Sequence, residues 1–133
     1  MTVINRSRDR ALGVVDAVTA CSAASAAYEP LTPGFEIPAS ADIVVNATSI
    51  GLAPADQEIP PVSLELLGST SVVADLIPNP PTTRFLRAAA DRGLRTIDGK
   101  GMLVNQAAIN VEWWTGAPAD LDAMRVVLDD VTR

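Results

Sequence analysis

The chain has 133 residues, 48% of them apolar and 20% charged, which is enough for one folded core and far from a disordered composition. Ten basic and sixteen acidic residues give a formal charge of −6, which disfavours a nucleic-acid surface. One cysteine (Cys21) and no histidine exclude an internal disulfide, thiolate metal clusters, His-dependent triads and the usual zinc sites.

The first element is a short β-branched strand over Thr2 to Asn5. Arg6, Arg8 and Arg10 follow at alternate positions, and no further Lys or Arg occurs until Arg84, so the basic charge is local and suits an anion site at this end. Ser7 or Asp9 is placed to cap a helix whose Leu12, Val15 and Val18 share one face. Small residues end this stretch as they would a signal peptide, but Asp16 interrupts the apolar run, so it reads as a helix and not a targeting segment. Pro30, Pro33, Gly34 and Pro38 make "YEPLTPGFEIPAS" mostly loop or edge strand.

The run "ADIVVNATS" is continuously apolar until it stops in small polar residues, which predicts a strand buried on both faces. A second Pro-rich loop (Pro54, Pro60, Pro61) leads to a short helical turn around Leu64 to Leu67. "SVVADLI" is another buried strand, broken by Pro78, Pro80 and Pro81. A helix starting at Thr82 or Thr83 runs through "FLRAAADRG" to Gly93 as its C-cap, and "RTID" is a short strand. Gly99 and Gly101 lead into a long helix ending at "WWTG". The last helix starts at Asp120 and puts Leu121, Met124, Leu128 and Val131 on one stripe, with Arg133 at its end. No stretch approaches the ~20 apolar residues of a membrane span.

Strands alternating with helices predict an α/β fold with a parallel sheet, whose ligands sit at the carboxyl ends of the strands. Those ends carry Asn5-Arg6-Ser7, Asn46-Ala47-Thr48-Ser49, Asp75 and Asp98-Gly99, all expected on one rim. In a dinucleotide-binding sheet an acid after the second strand would bind a ribose 2′-hydroxyl and repel a 2′-phosphate. Asn5, Arg6, Ser7 and Arg10 instead suit a phosphate, because guanidinium groups hold its oxygens in pairs. The chemistry favours NADP; the alternative is a solvated helix start. "NATSIG" lets backbone approach a ligand closely, or is simply a tight strand-to-loop turn. In "DGKGMLVNQA", Met102 and Gln106 stack on one helical face that continues through Ile109 to Trp113. That face suits either a substrate contact from Gln106 or a buried core with a satisfied amide.

Taken together, "INRSRDRA", "DIVVNATSIGL", "VVADLIPNPPTTRFLRAAADRG" and "TIDGKGMLVNQAA…WTG" resemble, in order and over nearly the whole chain, the shikimate dehydrogenase and quinate/shikimate dehydrogenase family. The resemblance implies an NADP-dependent oxidoreductase of aromatic amino acid biosynthesis, in the cytoplasm, exchanging hydride between NADP(H) and 3-dehydroshikimate/shikimate. It implies that Asn5, Arg6 and Arg10 hold the 2′-phosphate and that Thr48 and Ser49, after Asn46, line the dinucleotide. Gly101 and Met102 would bracket the nicotinamide, and Gln106 would contact shikimate. Pro78 stands where the family has a tyrosine near substrate, which bears on substrate identity.

The expected fold is an incomplete Rossmann-like doubly wound sheet over residues 1–133, lacking the first strand and its glycine-rich turn. In the order 3-2-1-4-5-6 that strand is central. The family's substrate domain, with its catalytic lysine and aspartate, has no counterpart here, and Lys100 reads as a surface lysine between Gly99 and Gly101. No catalytic residue and no metal ligand is therefore assigned, and the chain alone is expected to be inactive. The competing reading is a non-catalytic nucleotide-binding module, or one completed by a second chain or a swapped copy. A third is a truncated gene product.

Overall fold

All strand pairings in the computed structural model are parallel, and the strands alternate with helices as an α/β chain should. The structure describes residues 1–132, and Arg133, with its expected place at the last helix end, lies outside them. These residues form two units: Met1–Ile37 with Pro61–Glu65, and Pro38–Pro60 with the chain from Leu66 on.

In the first unit, β1 (Thr2–Asn5) pairs with β2 (Ala27–Pro30), and α1 (Arg8–Cys21) packs on both. Ala11 is buried, and Leu12, Val15 and Val18 line the half-buried face of α1, as the helical spacing requires. β2 lies within the Pro-rich segment, and its Pro30 falls at the strand end, where a missing N–H costs little. β3 (Phe35–Glu36) pairs with β5 (Val62–Ser63), the Ile37 N–H extends the pairing to the Ser63 carbonyl, and Ile37 and Leu64, the residues after the two strands, are buried. The helical turn expected around Leu64 to Leu67 is not helical: β5 comes first, and only a turn at Glu65-Leu66 follows. Leu64 and Leu67 are both buried, so their spacing reflects two anchor points of a loop.

In the second unit, β4 (Ile43–Asn46), β6 (Val72–Asp75) and β7 (Arg95–Ile97) form one sheet in the order β4-β6-β7. β6 is the central strand and is buried almost throughout. α2 (Arg84–Asp91) lays Phe85, Leu86 and Ala89 against β6 and β7. The Thr83 hydroxyl accepts from the Leu86 N–H at one end. At the other, Leu94 N–H reaches the Ala89 carbonyl beside Gly93, whose φ of +77° suits glycine.

β4 departs from expectation. It is not buried on both faces: Ile43 is 66% and Val45 51% exposed. A continuous apolar run normally marks a central parallel strand, but β4 is an edge strand here, paired only with β6. β1 likewise has a single partner, β2. The neighbours within these two sheets match the two flanks of the 3-2-1-4-5-6 order, and the first strand of that order has no counterpart among the described residues.

α3 (Lys100–Thr115) and α4 (Leu121–Val131) complete the second unit and pack on each other. Asp120 caps α4 through the Ala123 N–H, and Lys100 Nζ meets Asp129 Oδ1 at 2.6 Å, tying the two helices together. Leu121, Met124 and Leu128 are half-buried on the expected stripe, while Val131 is exposed and no residue of α4 is fully buried.

Candidate functional site

Two of the four polar strand ends are shaped by an Asn side chain that accepts from the backbone two residues on. After β1, the Asn5 Oδ1 accepts from the Ser7 N–H at 3.0 Å and turns the chain into α1. Ser7 occupies the N-cap position, but its hydroxyl caps nothing, and Asp9 sits in the first turn. Arg6, Arg8 and Arg10 project from this start as exposed side chains, with no acidic partner among the described residues.

After β4, the same device is built more heavily. The Asn46 Oδ1 accepts from both the Thr48 N–H (3.1 Å) and the Thr48 hydroxyl (2.8 Å). The Thr48 Oγ1 in turn accepts from the Ile50 N–H at 3.1 Å, and the Asn46 Nδ2 donates to the Ile50 carbonyl at 3.2 Å. The Thr48 hydroxyl is thereby engaged inside the turn. Ser49 keeps its hydroxyl and N–H without a protein acceptor, and it is exposed.

Asn46 and Asp75 are register partners at the ends of β4 and β6, and the Asn46 Nδ2 donates to Asp75 Oδ1 at 3.0 Å. Asp75 also accepts from the Ile77 N–H and the Thr83 hydroxyl. Of the rim residues, Asn46 and Asp75 are therefore joined directly. Asp98 follows β7 on the same sheet, and its Oδ1 accepts from the Lys100 N–H at the start of α3.

Gly99 is the N-cap of α3 and lies close against the strand-end loop. A Cβ added there would come within 2.5 Å of the Leu76 carbonyl carbon and oxygen. Gly101 is not before the helix, as expected, but within its first turn, and a Cβ added to it would meet only open space. Met102, Gln106, Ile109 and Trp113 lie on the exposed side of α3, while Val104 and Ala108 are buried. Their stripe is therefore not core, and the amide of Gln106 is not buried. Pro78 sits half-buried in the loop between Asp75 and α2. Sequence reasoning named Asp75 only as a strand end. Its contact with Asn46 spans 29 positions, and no local pattern announces it.

No cluster of potential metal ligands occurs among the described residues, and none of their helices is long and apolar enough to cross a membrane.

Residues 99–128 match the model of the shikimate 5′-dehydrogenase C-terminal domain. The chain is 34% identical to the NADP(+) shikimate dehydrogenase of Methanococcus aeolicus over 131 residues, which is 98% of this chain and 47% of that protein. It thus spans about half the length of that curated relative, and less of others it matches. Its fold is similar to 5-ketofructose reductase of a Gluconobacter species, with a TM-score of 0.87 at 40% identity, covering 98% of this chain and 47% of that one. It is also similar to the shikimate 5-dehydrogenase of Thermus thermophilus in complex with NADP(H) and shikimate, with a TM-score of 0.75 at 30% identity, covering 97% and 45%. Over nearly its whole length the chain is thus similar to about half of a shikimate dehydrogenase, and its last third matches that family's C-terminal domain.

Proposed function

We propose that residues 1–133 are the NADP(H)-holding portion of an oxidoreductase acting on 3-dehydroshikimate/shikimate. The observation that carries this reading is the likeness, along 98% of the chain, to a shikimate dehydrogenase whose name specifies NADP(+).

The residues present suit that cofactor. Arg6 and Arg10 offer exposed guanidinium groups held in no ion pair, with Asn5 and Ser7 beside them, so a 2′-phosphate finds paired donors, with the Asp9 carboxylate in the same turn. Ser49 offers a hydroxyl and an N–H from a turn that Asn46 and Thr48 hold in shape. Gly101 leaves the first turn of α3 open to a flat ring, with Met102 next to it and Gln106 one turn on for a substrate hydroxyl. The nicotinamide, when bound, supplies or accepts the hydride at the substrate's ring carbon. The resemblance assigns proton transfer to a lysine and an aspartate of the family's substrate domain, and this chain's one lysine is paired with Asp129. Purified alone, the chain is expected to bind nucleotide without turnover.

Fluorescence titration tests this. NADPH is expected to bind at least about tenfold tighter than NADH, because a bidentate Arg–phosphate pair is the added interaction. Arg6→Ala with Arg10→Ala should erase the preference. Equal affinity for both nucleotides, or none for either, overturns the reading.

A second reading concerns the substrate. The 40% identity to 5-ketofructose reductase, together with Pro78 in place of the tyrosine that the resemblance implies, favours an open or cyclic polyhydroxy ketone. Ligand-observed NMR with shikimate and 5-ketofructose, each added to the NADP-loaded chain, decides between them.

The open edges of β1 and β4 further support completion by a strand from a second polypeptide or a swapped copy. A monodisperse monomer by light scattering argues against the swapped copy.

A further inference from the structure

Asp75 is wholly buried, and no Lys or Arg pairs with it among the described residues. A buried carboxylate is costly unless donors surround it. Three do: the Asn46 Nδ2 and the Ile77 N–H on Oδ1 (3.0 and 3.2 Å), and the Thr83 hydroxyl on Oδ2 (2.7 Å). The two oxygens face different tasks. Oδ2 serves α2, since Thr83, itself fully buried, passes its oxygen on to the Leu86 N–H. Oδ1 serves the turn after β4, fixing which end of the Asn46 amide faces Thr48.

That orientation decides the turn. An Asn46 amide flipped by half a turn would present its NH2 to the Thr48 N–H, donor against donor, and its oxygen to the Ile50 carbonyl, acceptor against acceptor. The acceptor at position 75 adds a third, buried bond that holds the same sense, and with it the alignment of Thr48 and Ile50 on either side of Ser49. We infer that Asp75 is a positioning residue. Through Asn46 it holds the Ser49 hydroxyl and N–H in the geometry that the dinucleotide requires, without touching the ligand. This rests on the nucleotide-binding reading above and adds a residue to it.

The test compares the two branches of one carboxylate. NADPH is titrated by fluorescence against the unmodified chain, Asp75→Ala, Asn46→Ala, the double variant and Thr83→Val, at a temperature where circular dichroism finds each folded. Asp75→Ala and Asn46→Ala should each weaken binding about tenfold, the scale of a lost buried hydrogen bond. The double variant should be no more than about threefold weaker than either, because the two act in series. Thr83→Val, which breaks only the α2 branch, should lower the melting temperature and leave affinity within about twofold. Additive losses, or an equal loss in Thr83→Val, overturn the inference and leave Asp75 a purely structural residue. If Asp75→Ala does not fold, Asp75→Asn takes its place. It keeps an oxygen for Asn46 and should stay within about threefold of the parent. A tenfold loss in Asp75→Asn alongside an unaffected Asn46→Ala overturns the inference.

The unliganded protein separates this inference from the reading beneath it. Backbone amide resonances of Thr48, Ser49 and Ile50 should move in Asn46→Ala and Asp75→Ala but not in Thr83→Val, even if no variant binds NADPH. Unmoved resonances overturn the inference whatever the nucleotide does.

Discussion

The strand-end hub and the α3–α4 pair belong to the same unit and are built on opposite terms. Around Asp75, every buried side-chain polar group has a partner, and Val73, Phe85, Leu86 and Ala89 are sealed behind it. Between α3 and α4, an open apolar groove of about 420 Å³ runs past Leu103, Ala107, Met124 and Val127, and α4 buries no residue fully. The first region draws its stability from contacts within the unit. The second keeps apolar surface uncovered, as surfaces that receive another polypeptide do. A small unit that is dense at one end and open at the other should respond to substitution very unevenly.

The largest effect is expected at the closed end. Phe85→Ala empties a site that is 2% exposed and should cost about 3–5 kcal/mol, enough to unfold the unit in a urea titration. Gly99→Ala comes next. Its new Cβ would press on the Leu76 backbone, and overpacking of this kind costs about 1–3 kcal/mol. That variant also shifts the start of α3, so a fall in NADPH affinity should accompany the drop in melting temperature. The effect shrinks at the open end. Lys100→Met removes the 2.6 Å pair with Asp129, whose carboxylate is largely exposed, and should cost at most about 1 kcal/mol, fading in high salt. Trp113→Ser should be within about 0.5 kcal/mol of neutral, since that side chain is 83% exposed. A large loss at Trp113 would break the comparison by showing that the open end is already covered.

The closed end was also the legible one. β6, α2 and their boundaries follow from an apolar run, Thr83 at one end and Gly93 at the other, all local signals that agree with one another. α3 and α4 were equally readable as helices from Gly99, Gly116 and Asp120. Their exposure was not, because an apolar stripe records the need for a neighbour and not its presence. The run Ile43-Val44-Val45 reads as buried, and the stripe through Met102, Ile109 and Trp113 reads as core or contact surface; Ile43, Val45, Met102, Ile109 and Trp113 are all exposed. The Pro-rich segment reads as mostly loop or edge strand, which fits β2 and β3, while β5 reads as the lead-in to a helical turn, because prolines punctuate the sequence more strongly than two paired residues can. At the candidate site, the residue types were visible, but the division of labour between Thr48, closed into the turn, and Ser49, left available, depends on hydrogen-bond directions that no spacing encodes.

The neighbouring indoles of Trp113 and Trp114, 83% and 79% exposed at the end of α3, are the only tryptophans in the chain. Their fluorescence therefore comes from solvent-bathed rings at the open end and from nowhere else. Any polypeptide that settles over this end would shift their emission to the blue and shield them from iodide quenching. The chain thus carries its own optical gauge of whether that surface has found a cover, readable without labels.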